Sequence, residues 1–160
     1  MSSLAALAPR LRFNETLLRS VTKGMDAPAW SLVPPGGGNT PHWILGHVVA
    51  SRRFMLRAAG HELATDPWEA LFGRGAEPGA ATDPFPPVEE LLADLRASGE
   101  TLSELFPAMT DEAAAEPAAR PMPDGSDTVA GVLHFLYFHE TYHLGQLGLL
   151  RRMNGLDPFA

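Results

Sequence analysis

Residues 128–153 read TVAGVLHFLYFHETYHLGQLGLLRRM, and this stretch predicts the longest helix of the chain. Its inward side chains recur in alternating steps of four and three residues, which is the spacing of one helical face. Ser126 or Asp127 can cap its start, and Arg151 and Arg152 suit its negative end. The inward face consists of Val132, Leu136, His139, His143, Gln146 and Leu150. Two imidazoles and an amide therefore interrupt a face that packing alone would fill with leucine.

A second helix is predicted from Pro41 to Ala59. Asn39 or Thr40 can cap it, Pro41 suits the first helical position, and Gly60 ends it. Its inward positions follow the same spacing and consist of Ile44, His47, Ser51, Phe54 and Ala58. This helix therefore also carries a histidine on the side that should face the core.

Two further helices follow from the same periodicity, one from about Ser3 to Lys23 and one from roughly Pro87 to Phe106. Pro107 is expected to end the latter, because proline disfavours helical backbone at the residue before it. Strand alternation is not sustained anywhere in the sequence. The pattern predicts an all-α fold, a four-helix bundle with long crossover connections, as a single domain over residues 1–160.

The connections between these helices are rich in glycine and proline. Residues 27–39 are read as a loop, and residues 111–119 as a loop or a single turn. The connection 61–86 is long for a small domain and contains one short helical turn at Pro67–Phe72. Such a connection either spans the bundle or forms a lid or pocket wall, and the sequence leaves both readings open.

Composition excludes several classes of function. The net charge of −7 and the lack of any Lys/Arg-rich run argue against nucleic acid as the main partner. The chain has no cysteine, which removes disulfides, thiolate ligands and a cysteine nucleophile and fits a cytoplasmic location. We find no signal peptide and no apolar run long enough for a membrane span. Arginine outnumbers lysine eleven to one, which is typical of a GC-rich, bacterial genome.

Three histidines stand where the helices call for leucine. His139 and His143 are four residues apart and share one helical face, so both rings can reach one metal ion. His47 occupies an inward position on the second helix. Each ring could instead donate to a backbone carbonyl or a carboxylate, but three of them favour a shared divalent metal.

A three-histidine set leaves a coordination position open for water or substrate, as in catalytic zinc sites. Imidazole also suits nickel, copper, cobalt and ferrous iron, so the ligands alone do not choose the ion. The remaining histidines, His42, His61 and His134, are expected to face elsewhere, because their offsets place them on other sides of their helices.

Polar neighbours of the histidine pair have more than one reading. Glu140 could act as a base toward metal-bound water, could orient a ligand, or could be a solvated helix residue. Gln146 lies one turn beyond His143, so a polar role near the metal is expected for it, and Tyr142 is a second candidate of the same kind.

Arginines at 52, 53 and 57 stand on the second helix. They are read as a solvated outer face of that helix, with the border of a ligand pocket as the alternative.

The stretch His139-Glu140-Thr141-Tyr142-His143 also satisfies the H-E-x-x-H motif of zinc peptidases. Those enzymes usually take a third ligand downstream, and the only acid after the motif is Asp157. Gln146 and Leu149 occupy the places of the glycine and histidine of the extended motif. A peptidase cleft also needs a sheet edge, for which the sequence gives no strand. Peptidase activity is therefore disfavoured.

The two histidine-bearing helices resemble the DinB-like superfamily, also called DinB/YfiT-like metalloenzymes. The resemblance rests on Trp43-Ile44-Leu45-Gly46-His47 and on the run from His139 to Gln146, which are about 90 residues apart. It implies a four-helix bundle with a long crossover. It also implies a divalent metal bound by His47, His139 and His143, with zinc or nickel as the expected ion, and a homodimer, since many members are dimers.

Some relatives in that superfamily are thiol S-transferases or isomerases that use bacillithiol, mycothiol or glutathione. The resemblance therefore implies a metal-dependent thiol S-transferase that joins a low-molecular-weight thiol to a small electrophile. Two alternatives stay open at this point. One is a metal-dependent hydrolase with metal-bound water as nucleophile, and the other is a non-enzymatic metal-binding protein.

Overall fold

Four long helices and a few short helical segments make up the regular structure of the described residues. The computed structural model describes residues 3–73, 76 and 85–157. The long helices are α1 (Leu7–Thr22), α3 (Pro41–Ala58), α4 (Val88–Ala108) and α6 (Val129–Met153). The short ones are α2 (Ala27–Trp30), α5 (Asp111–Ala115) and two 3-10 segments, Ser3–Ala6 and Pro67–Phe72. No strand occurs in these ranges, which confirms the all-α prediction.

Each long helix packs against two others. Helices α1 and α3 each contact both α4 and α6, so the four form a closed ring around a common core. Among the described helices, none has the length and apolar character needed to cross a lipid bilayer.

Two apolar clusters fill the core, one toward each end of the bundle. The first includes Trp43, Leu45, Phe72 and Leu144, and the second includes Leu11, Met55, Phe106 and Leu133. Along α3 and α6, a buried ion pair between Arg52 and Glu140 stands between the two clusters.

The N-terminal caps of the histidine-bearing helices are both threonines. In α3 the Thr40 hydroxyl accepts from the backbone N–H of Trp43 at 3.2 Å, as one of the two predicted caps. In α6 the cap is Thr128, whose hydroxyl accepts from Gly131 N–H at 3.1 Å, so the prediction of Ser126 or Asp127 was wrong. Thr128 has the extended backbone that an N-cap needs, and the helix starts immediately after it.

Two predicted boundaries also differ from the structure. Helix α4 continues through Pro107 to Ala108, because a proline in the last turn removes only one helical hydrogen bond and Met109 N–H still reaches the Leu105 carbonyl at 3.0 Å. Residues 27–30 form a helical turn inside a stretch read as loop, since the Asp26 carboxylate accepts from Ala29 N–H at 3.0 Å and caps it.

Candidate metal centre

Helices α3 and α6 bring three imidazole nitrogens to one point. The Nε2 atom of His139 lies 3.1 Å from Nε2 of His47 and 3.1 Å from Nε2 of His143. One ligand atom from each residue falls within 4.8 Å of the others. The i, i+4 spacing on α6 places the rings of His139 and His143 edge to face on one side of the helix, and α3 delivers the ring of His47 from across the helix interface.

These separations fit a metal ion. Zinc–nitrogen bonds of about 2.05 Å at a tetrahedral angle place two ligand nitrogens about 3.3 Å apart, and right-angled ligation reduces this to about 2.9 Å. The observed 3.1 Å lies between the two values. Three neutral nitrogens arranged in this way could hold a divalent ion and leave further coordination positions open.

Hydrogen bonds on the far side of two rings fix which nitrogen is free. Nδ1 of His47 lies 2.5 Å from the Phe72 carbonyl oxygen, and Nδ1 of His143 lies 2.7 Å from Oε1 of Gln146. Both oxygens only accept, so both Nδ1 atoms carry the proton and the Nε2 lone pairs point at the common centre. Gln146 is itself oriented by donating from Nε2 to the Tyr142 hydroxyl at 3.1 Å. Supports of this kind are usual behind metal-ligating histidines.

The third ring has no such support. Nδ1 of His139 is buried without a hydrogen-bond partner, one of two such side-chain atoms among the described residues. Its Nε2 faces only the two other imidazole lone pairs. Buried polar atoms are normally satisfied, but a proton on Nε2 of His139 could be donated to only one of the two neighbouring lone pairs and would leave Nδ1 without a donor. With the proton on Nδ1 instead, three lone pairs converge and repel one another unless a cation lies between them. The three imidazoles are therefore better suited to binding one shared metal ion than to forming hydrogen bonds with one another.

The histidines are in the protonation state that ligation requires. Burial, followed by repulsion from His143 and His47, lowers the pKa of His139 to about 4. Burial and repulsion from His47 lower the pKa of His143 to about 4, against the opposing effect of its bond to Gln146. Burial also lowers the pKa of His47, and the Phe72 carbonyl opposes it. At neutral pH all three rings are neutral, with their lone pairs available.

A cavity of about 940 Å³ opens beside this centre, within the size range of small-molecule sites. His47 and His139 contribute to its wall, and two arginines, Arg57 and Arg120, lie on its border. The apolar part of the wall includes Trp43, Phe54, Phe72, Phe135, Leu136 and Met122. Part of the connection 61–86 therefore serves as a pocket wall, through Glu69, Phe72 and Gly73; residues 74, 75 and 77–84 lie outside the described part of the chain.

Glu140 occupies a different place from the one a general base would need. Its side chain is 1% exposed, and both carboxylate oxygens accept from Arg52, at 2.8 Å from Nε and 3.0 Å from Nη2. Arg52 Nη1 also donates to the Leu95 carbonyl at 2.7 Å. Gly99 makes room for this guanidinium, since a Cβ there would stand 2.7 Å from Nη1. Glu140 thus ties α6 to α3 and has no oxygen free for catalysis.

The reading of the α3 arginines as a solvated face was wrong for two of them. Arg52 is fully buried, and Arg53 is 8% exposed. Arg53 binds three carboxylates, those of Asp66 at 2.7 Å, Glu69 at 3.0 Å and Asp94 at 2.9 Å. Ion pairs and hydrogen bonds offset the desolvation penalty that made an outward position the default expectation.

Arg57 agrees with the alternative interpretation of these arginines, which placed them at the border of a ligand pocket. It borders the cavity and donates to Glu69 Oε2 at 2.6 Å. The other three histidines stand apart from the centre. His42 donates from Nε2 to the Pro86 carbonyl at 2.8 Å, and His61 and His134 are exposed.

Two groups at this site were not anticipated from the sequence. The first is the Phe72 carbonyl, a backbone atom whose role depends on where the 3-10 segment docks and leaves no trace in residue identity. The second is Arg120, in the loop between α5 and α6, where no periodicity assigns a direction to a side chain. Its position between two prolines of a short connection was the one available signal of an ordered loop.

The comparison with known families agrees with this geometry. A family model described as the DinB superfamily matches residues 10–147, a range that contains all three histidines and most of the chain. A search of curated proteins found no match. The chain belongs to the DinB superfamily.

Proposed function

We propose that the protein is a divalent-metal-dependent thiol S-transferase, in which a low-molecular-weight thiol attacks a small electrophile. Three features support this: the superfamily, the three convergent imidazoles and the adjoining cavity. When bound, a zinc or nickel ion would supply positive charge that lowers the pKa of a neighbouring thiol. Because the chain has no cysteine, the nucleophilic sulfur belongs to a substrate.

The residues of the chain itself hold the metal ion and orient the substrates. His47, His139 and His143 are the ligands, and the Phe72 carbonyl and Gln146 keep two of the rings in the ligating tautomer. The aromatic wall of the cavity removes the electrophile from water and places it over the histidines. In the reaction a sulfur–carbon bond forms, the leaving group departs with its electron pair, and the thiol proton passes to solvent.

One observation favours thiol transfer over hydrolysis. Glu69 is the one carboxylate among the described residues that line the cavity, and both of its oxygens accept from arginines, Arg53 and Arg57. With Glu140 also paired, a hydrolase at this site would have no carboxylate to assist proton removal from water and would depend on the metal alone to lower the pKa of that water. A thiol is far more acidic than water before any metal binds, so it depends less on such a base.

Thiol consumption with a model electrophile tests the proposal. Protein loaded with zinc or nickel is incubated with glutathione, bacillithiol or mycothiol and with monochlorobimane, and the fluorescent thiol adduct is measured. We expect adduct formation with at least one thiol that depends on the metal and is lost in His143→Ala. His134→Ala, which removes an exposed histidine from the same helix, is the matched control and should keep full activity.

Rates equal to those without protein for all three thiols would contradict the proposal. Hydrolysis of p-nitrophenyl acetate without thiol, dependent on the same metal and on His143, would replace it with the hydrolase alternative.

A further inference from the structure

Arg120 is the one cationic side chain in the cavity wall that lacks an acidic partner among the described residues. The other lining arginine, Arg57, is bonded to Glu69 at 2.6 Å. Arg120 instead lies over the ring of Phe54, with Cζ 4.9 Å from the ring centroid. Both residues belong to the cavity wall, so the guanidinium stands at the edge of the same space that the histidines border.

The contact with Phe54 uses none of the N–H donors of the Arg120 guanidinium. The planar face of an arginine can rest on an aromatic ring while its N–H groups point outward in the plane. Two parallel N–H groups match the two oxygens of a carboxylate, which gives a directional, charge-assisted pair. Phe54 thus holds Arg120 in place without using the donors that a ligand would need.

The loop that carries Arg120 is ordered by its own backbone. Ala118 N–H donates to the Asp127 carbonyl at 2.7 Å, and Met122 N–H donates to the Ser126 carbonyl at 2.8 Å. These bonds clamp both sides of residue 120, and Met122 is buried against the core. A preorganised arginine loses less entropy on binding a ligand than one on a mobile loop.

Charge in the cavity is opposite in sign to that of the whole chain. The lining contains Arg57 and Arg120 against Glu69, so its ionised side chains sum to one positive charge, while the chain carries −7. A divalent ion on the histidines would add two more. A positive cavity in an acidic protein selects an anionic ligand.

We infer that this cavity takes a ligand with a carboxylate, which Arg120 binds, joined to an apolar body that lies along the aromatic wall toward the histidines. This inference rests on the proposed function only in treating the cavity as the substrate site. A carboxylate is favoured over a phosphate, because one free guanidinium balances one charge and no lysine lines the cavity.

Binding to metal-free protein isolates the Arg120 contact, since a bound metal would itself compete for a carboxylate. The probes are 3-phenylpropionate and the uncharged 3-phenyl-1-propanol, titrated at pH 7.5 and followed by backbone NMR shifts. Arg120→Met keeps an apolar side chain over Phe54 and removes the charge. We expect it to weaken binding of the acid by about tenfold and to change binding of the alcohol by less than about twofold.

Two further variants sharpen the comparison. Arg120→Lys keeps the charge but not the planar fork, so binding of the acid should be intermediate. Arg152→Met removes an exposed arginine at the end of α6 and should leave both probes unaffected. Equal binding of the acid by the wild type and Arg120→Met would overturn the inference. So would equal losses for acid and alcohol, or shifts in the wild type that avoid the cavity.

Titrating the three thiols then identifies the source of the carboxylate. Glutathione and bacillithiol carry carboxylates and mycothiol does not. Weaker binding of the first two alone in Arg120→Met assigns the carboxylate to the thiol, whereas unchanged binding of all three assigns it to the electrophile. Because the phenylpropionate experiment uses no metal and no thiol, its failure is independent of any failure of the transferase assay.

Discussion

Replacing Arg52 with methionine should destabilise the protein severely. Arg52 is fully buried and bonds both oxygens of Glu140, at 2.8 and 3.0 Å, in addition to the Leu95 carbonyl at 2.7 Å. Methionine refills much of the space but leaves a buried carboxylate without a partner. Removing one member of a buried ion pair costs about 3–5 kcal/mol, a large part of the roughly 5–15 kcal/mol that stabilises a typical domain.

Urea denaturation of metal-free protein measures this loss, and thermal melting should show a midpoint lower by about 6–20 °C. The double variant with Glu140→Leu removes both charges together, so it should recover a large share of the stability that the single variant loses. The exposed control Arg152→Met should stay within about 0.5 kcal/mol of the wild type.

The same substitution should weaken metal binding although Arg52 is not a ligand. Arg52 stands five residues after His47 on α3, and Glu140 follows His139 directly on α6, so their bond fixes the register of the two histidine-bearing helices. A loss of unfolding free energy below about 1 kcal/mol in Arg52→Met would refute the argument that the pair is essential to packing. Strictly additive effects of Arg52→Met and Glu140→Leu on the unfolding free energy would refute the argument that the pair is coupled.

Three other predictions concern the ligand support, the packing of α3 and acid stability. Gln146→Ala removes the acceptor for His143 Nδ1–H, and we expect metal affinity, measured by competition with a chelator, to fall by about tenfold or more. Gly46→Ala places a Cβ within 2.3 Å of the Phe72 ring and should cost about 1–3 kcal/mol in urea denaturation, whereas Gly148→Ala meets nothing within 4 Å and should be neutral or stabilising. Metal-free protein should lose stability as pH falls from about 6.5 to 4, because the lowered pKa of the ligand histidines makes the unfolded chain bind more protons in that window.

Each of these has a clear contrary result. Unchanged metal affinity in Gln146→Ala would show that the hydrogen bond from His143 to Gln146 does not support metal binding. Equal stability of the two glycine variants would contradict the close approach of Phe72 to α3. Stability that rises on acidification, or an acid loss that is no smaller in His139→Gln, would contradict the assignment of neutral buried imidazoles.

Periodicity was sufficient to predict the bundle and the position of the histidines. Four long amphipathic segments imply four packed helices, because each must bury one face. His139 and His143 were recognisable because a polar ring at a leucine position needs an explanation, and the i, i+4 spacing supplied one. The bounds of α3 and α6 were predicted to within a residue or two, although the cap of α6 is Thr128 and not Ser126 or Asp127.

The buried charges could not be read from one sequence. Arg52 and Glu140 are 88 residues apart, and each looks solvated until the other is placed against it. Single-residue tendencies put charged groups outside, and only tertiary packing reverses that expectation. Gly99 was the one local trace of the pair, as a glycine in mid-helix that leaves room for a guanidinium.

Loop-borne parts of the site were equally hidden. The Phe72 carbonyl acts through its backbone, and Arg120 owes its direction to a short hydrogen-bonded loop rather than to a helical face. Loops position side chains through specific backbone conformations that periodicity does not report. The sequence therefore predicted the three histidines that converge and did not predict the residues at the opposite end of the cavity.

Metal content per chain tests the central claim most directly. The wild type, His139→Ala and the control His134→Ala are purified, loaded with zinc or nickel, dialysed and analysed by elemental mass spectrometry, and circular dichroism confirms their helix content. The convergence of three Nε2 atoms predicts a single tightly held ion in the wild type and in His134→Ala, and its loss from His139→Ala with the helices intact. Equal metal content in all three folded proteins would contradict it.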